Sequence, residues 1–134
     1  MSVQFEEERT IPEPLNLTVS LRGTYEVIDN KYQIFRLTGL LDAFSEPVFS
    51  TAIKNRINEG PHDIILSLAQ IDFVDSSGIG ALVQLVKHTQ NAGGTMQVVT
   101  NPRVTQTVKL VRLEKFLSLR NSIDEAIAHL DEKK

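Results

Sequence analysis

Phe73-Val74-Asp75-Ser76-Ser77-Gly78-Ile79-Gly80-Ala81-Leu82 joins two apolar runs across an acid, two hydroxyls and two glycines. Upstream, residues 62–68 read as a strand, extended after a break by Ile71-Asp72-Phe73-Val74. Downstream, Ile79, Leu82, Val83 and Val86 recur at helical spacing until Asn91-Ala92-Gly93-Gly94 stops them. The stretch is therefore a strand-to-helix junction. In α/β sheets, functional sites gather just beyond the C-terminal ends of the strands, so chemistry is sought here first.

On both sides the same change of period recurs. Ser45 is placed to cap a helix with Pro47 at its second position, and Phe49, Ala52, Ile53 and Ile57 follow before Gly60-Pro61 ends it. Residues 95–100 form another strand. Asn101-Pro102 opens a short helix with Val104, Val108 and Val111 inward, and residues 116–119 make a last short strand. Ser122 and Glu125 then form a capping box ahead of Ile123, Ala126, Ile127 and Leu130. Near the start, residues 15–21 and 32–37 read as an antiparallel pair turned through Asp29-Asn30. The expected fold is α/β: one domain over residues 15–134, with a mixed sheet of four to five strands and helices mainly on one face. Residues 1–14, with Glu6-Glu7-Glu8 and Pro12-Glu13-Pro14, read as a disordered arm, with an extra contact or an edge-strand cover as the alternative.

Composition narrows the function. At 134 residues and a net charge of -3, the chain suits one domain and argues against direct nucleic-acid binding. Arg103, Lys109, Arg112, Lys115 and Arg120 read as solvated surface. There is no cysteine, which excludes disulfides, thiolate metal sites and a cysteine nucleophile. No apolar run approaches the roughly 18 residues that span a bilayer, and the N-terminus lacks a secretion pattern. A cytoplasmic protein without membrane contact is expected.

The junction itself could hold a nucleophile, cradle a phosphate or receive one. A serine elbow needs Gly-x-Ser-x-Gly, but Val74 stands before Ser76. None of His62, His88 and His129 is placed to activate that serine. Gly78-Ile79-Gly80 begins a dinucleotide fingerprint whose third glycine would fall at Val83. Asp42, Asp72 and Asp75 lack the spacing of a metal loop. No catalytic residue, metal site or cofactor is therefore expected. Ser76 and Ser77 sit at the positive end of a helix, where either can cap and where a phosphate is tolerated.

Asp75-Ser76-Ser77-Gly78-Ile79-Gly80, preceded by Ile71-Asp72-Phe73-Val74, resembles the signature of STAS-domain anti-sigma factor antagonists. Leu37-Thr38-Gly39-Leu40-Leu41-Asp42 resembles their upstream segment, with Leu40 where many relatives carry glutamate. Gly93-Gly94 and Phe116-Leu117-Ser118-Leu119 follow in order. The resemblance implies a bacterial signal-transduction protein acting by partner switching, with no enzymatic activity. It implies Ser76 as phosphoacceptor, and Asp42, Asp75, Ser77, Gly78, Ile79 and Gly80 as the partner surface. The implied partners are an anti-sigma factor and serine kinase of histidine-kinase-like ATPase fold, and a PP2C-type phosphatase. The rival expectations are a nucleotide- or small-ligand-binding module, or a scaffold never modified.

Overall fold

The structure is a computed structural model that describes residues 11–132. Among the described residues, six strands and four helices follow in the order β1 (Glu13–Leu15), β2 (Leu21–Ile28), β3 (Tyr32–Leu41), α1 (Glu46–Glu59), β4 (Asp63–Val74), α2 (Ser76–Asn91), β5 (Met96–Val99), α3 (Pro102–Leu110), β6 (Leu119–Arg120) and α4 (Ile123–Glu132). The strands lie side by side in sequence order, antiparallel from β1 to β3 and parallel from β3 to β6. Parallel neighbours that step steadily in one direction through right-handed crossovers carry their helices on one face. Accordingly α1, α2 and α3 share the main core, with Phe49, Ile53, Leu82, Leu85 and Val108 packed on Phe35, Leu66 and Val98. Only α4 lies on the other face, where Ala126 and Leu130 cover Ile28, Ile34 and Ile65.

The α/β class and the mixed sheet agree with the sequence, but the sheet has six strands rather than four to five. Residues 15–21 are not one strand. Leu15 ends β1, while Thr18 accepts the Leu21 amide on its hydroxyl and turns the chain, leaving Val19 98% exposed. The antiparallel partner of β3 is instead Leu21–Ile28, joined through Asp29 (φ 53°) and Asn30 (φ 56°). Two left-handed residues in a row make a turn whose twist matches that of the strands. The last two residues of the expected arm, Glu13 and Pro14, belong to β1, an edge strand that tolerates proline. The rest of the arm up to Thr10 lies outside the described residues.

Three smaller differences concern the parts that frame the junction. Ser45 flanks α1 but makes no side-chain cap; its hydroxyl is buried, donates to Leu40 O at 2.9 Å and accepts the Asp42 amide at 3.0 Å. The break expected before Ile71 is a bulge in a continuous β4, where the register against β3 slips twice. The Asn101 amide nitrogen holds that irregularity, 2.9 Å from Ile71 O and 3.1 Å from Ala69 O. Beyond α3, Val111 is half-exposed rather than inward, and the final strand is Leu119–Arg120, with Phe116 outside it. Left-handed Arg112 and Ser118 redirect the chain there. Among the described residues, no helix is long and apolar enough to cross a membrane.

Candidate functional site at the start of α2

β4 delivers Asp75 to the rim of the sheet, and the chain turns into α2 at Ser76. The cap is Asp75, not a serine: its Oδ1 accepts the Gly78 amide at 3.0 Å. Its Oδ2 accepts the Ala43 amide, in the β3–α1 loop, at 3.1 Å. The Asp75 amide itself donates to Leu41 O at 3.2 Å. One residue thus fastens the junction to the neighbouring loop from both backbone and side chain.

Because Asp75 does the capping, Ser76 is released from it. Ser76 is exposed, and its hydroxyl bonds no described residue. The first amides of α2, those of Ser76 and Ser77, are left without an acceptor among the described residues. A nucleophilic oxygen therefore stands free at the positive end of a 16-residue helix. Ser77 is half-buried and faces a shallow cleft between α1 and α2 of about 330 Å³, which Glu46, Lys54, Gly80 and Gln84 also line.

The other residues expected at a partner surface divide into two groups. Asp42 is at the site but turned to its own loop, where Oδ1 accepts the amides of Phe44 (3.1 Å) and Ser45 (3.0 Å). Gly78 and Ile79 are buried beneath the start of α2. A Cβ on Gly78 would lie 2.5 Å from Leu41 O and 2.9 Å from Val74 Cγ1, which is why glycine lets α2 close onto β3. Gly80 is exposed with open space around it.

Phe44 was missed by the sequence reading. It is 73% exposed in the loop that Asp75 grips, and Val48, four residues on in α1, is 40% exposed. Phe73, half-exposed, lies opposite Leu40 in the β3–β4 register, so the two form an apolar pair. The signal was available in part: Phe44 follows Asp42-Ala43 outside the helical period, as a lone aromatic in a loop.

No histidine comes to Ser76. His62 Nδ1 lies 2.9 Å from Ile57 O before β4, and His88 Nε2 lies 2.8 Å from Asn58 Oδ1 near the far end of α2. Among the described residues, no three side chains of metal-ligating type gather.

A STAS domain model matches residues 24–126. An anti-sigma F factor antagonist of Paenibacillus polymyxa is 29% identical over 73% of this chain and 86% of its own. A candidate anti-sigma factor antagonist of Thermotoga neapolitana is 28% identical over 53% of this chain and 64% of its own, just under two thirds of that relative. Among solved structures, the anti-sigma factor antagonist SpoIIAA in its unphosphorylated form superimposes with a TM-score of 0.69 at 21% identity, over 82% of this chain and 96% of that one.

Proposed function

This chain belongs to the STAS domain family, and on that premise we propose that it is a phosphorylation-controlled binding protein of the anti-sigma factor antagonist type. Unmodified, it binds an anti-sigma factor that is also a serine kinase. The kinase transfers a phosphate to Ser76, the complex dissociates, and a PP2C-type phosphatase restores the serine. In the transfer, Ser76 Oγ attacks the γ-phosphorus of ATP held by the kinase. The bond to the bridging oxygen breaks, ADP leaves, and the hydroxyl proton passes to a base on the kinase. This chain supplies only the acceptor and its presentation.

One observation carries the reading: Ser76 is an exposed, unbonded hydroxyl at the first position of α2, because Asp75 has taken over the cap. A phosphate there meets free helix amides, so the fold accommodates it. It also adds roughly -1.5 to -2 charge units beside Asp75 and Asp42. A partner seated on the junction then faces repulsion and the desolvation of a dianion. A loss of about 3 kcal/mol lowers affinity by more than a hundredfold. The relative named as an anti-sigma F factor antagonist, and the neighbour described in an unphosphorylated form, support the reading.

The test is direct. Incubation with the cognate kinase and MgATP yields a singly phosphorylated chain with the phosphate on Ser76, and Ser76→Ala yields none. A phosphate that maps to Ser77 or elsewhere while Ser76 stays bare overturns the assignment.

A further inference from the structure

The sheet changes sides between its last two strands. After β5 the chain turns to α3 on the main-core face, through Val104 and Val108; after β6 it turns to α4 on the opposite face, through Ala126 and Leu130. β5 and β6 are neighbours. The helices that follow these adjacent parallel strands diverge to opposite faces beyond the strand ends, without a reversal of strand order. A crevice of about 690 Å³ lies there. Thr100, Asn101 and Pro102 of the first connection and Asn121 of the second face it, with α3 forming one wall. Its size suits a small organic molecule. It shares no residue with the cleft beside Ser77.

What it can recognise follows from which lining groups are already engaged. The Thr105 hydroxyl lies 3.2 Å from Thr100 Oγ1 and donates to it, and Thr100 Oγ1 donates to Asn101 O at 3.2 Å. The Asn101 side chain caps Val104 and holds the β4 bulge. The side chains of Gln106, Lys109 and Asn121, all exposed at the mouth of the crevice, bond no described residue. These offer an ammonium and two carboxamides. Lys109 is the lone charge in the lining, and Pro102 and Leu110 add an apolar wall.

We infer that this crevice binds a small organic oxyanion, a phosphate or a carboxylate on an apolar body. The anionic head sits against Lys109 and the two amides, and the body lies on Pro102 and Leu110. Hydrogen bonds from a charged donor to an oxyanion are about twice as strong as neutral ones, so Lys109 carries most of the head recognition. The site is separate from Ser76 and does not depend on its modification.

The experiment titrates the full chain with phenyl phosphate, benzoate and neutral benzyl alcohol, followed by amide NMR shifts. The expected result is saturable shifts at Thr100, Thr105, Gln106 and Asn121 with at least one anion and none with the alcohol; the tighter anion identifies the head group. Lys109→Ala weakens that binding about tenfold, as does Asn121→Leu in part, while Lys87→Ala on α2 leaves it unchanged. The inference is overturned if neither anion saturates below about 10 mM, if shifts scatter over the surface, or if Lys109→Ala binds as the parent does.

Discussion

Asp75 and Ala43, thirty-two residues apart, are joined by a 3.1 Å hydrogen bond from the Ala43 amide to Asp75 Oδ2. The other oxygen of the same carboxylate caps Gly78. The aspartate before the serine is thus a structural clasp. It fixes the β3–α1 loop, with Phe44 on it, against the start of α2. Losing both acceptors costs about 1–3 kcal/mol. Asp75→Ala is therefore expected to lower the urea midpoint clearly. Asp75→Asn is expected to lower it less, since an amide presents one oxygen and turns its NH2 against the second donor. Equal stability of the parent and Asp75→Ala would show that the clasp contributes nothing.

Ser76 should behave oppositely under the same measurement. Its hydroxyl bonds no described residue, so Ser76→Ala is expected to stay within about 0.5 kcal/mol of the parent. Ser76→Asp places a negative charge in the first helical turn, which is worth about 0.3–1 kcal/mol in favour of the folded state. Its thermal midpoint is expected to hold or rise slightly while kinase binding weakens. A steep fall in the midpoint would mean that the serine is structural, and that phosphorylation would act by unfolding.

The exposed ring of Phe44 leads to a test of the surface rather than of the acceptor. Phe44→Ala removes a side chain that is 73% exposed, so stability is expected to change little. An aromatic that anchors an interface costs at least about tenfold in affinity when truncated. Binding to the unphosphorylated chain's kinase partner, followed by calorimetry, is expected to weaken by that much. Unchanged affinity would move the partner surface away from the β3–α1 loop.

The junction was legible in the sequence because three signals agree there: an apolar run ending at Val74, cap-type residues at once, and a helical period from Ile79. Where signals disagreed, the reading went astray. Leu15, Leu17, Val19 and Leu21 alternate as a strand should, yet Thr18 turns the chain between them. The true strand, β2, buries Glu26, which pairs with the partly exposed Arg36 across the hairpin, and a buried carboxylate has no hydrophobic signature. Ser45 matched a cap pattern, but its hydroxyl turns back into the preceding loop, to Leu40 O, instead of forward to the helix. The cap by Asp75 is local, but its second bond, to Ala43, comes from a loop thirty-two residues away. Pattern reading sees neighbours in the chain, whereas Ala43 is a neighbour only in space.

The two glycines of the junction, alike in the sequence, are separated by their surroundings. At Gly78 an added methyl would lie 2.5 Å from Leu41 O and 2.9 Å from Val74 Cγ1, both in the main core. Neither atom is the free end of a flexible chain, so α2 must back away from β3. Such overpacking costs about 1–3 kcal/mol, more than the roughly 0.5–1 kcal/mol that alanine returns as a better helix former. At Gly80 nothing lies within 4 Å of the added methyl, so only the helical gain remains. Gly78→Ala is expected to destabilise and Gly80→Ala to stabilise, read as opposite shifts in urea midpoint. The exposed glycine also reports on binding. A helix keeps a costly glycine on its open face when something must approach the backbone closely, so Gly80→Ala should weaken kinase binding even as it strengthens the fold. If it stabilises and binds as before, Gly80 lies outside the contact and the partner sits further towards Phe44.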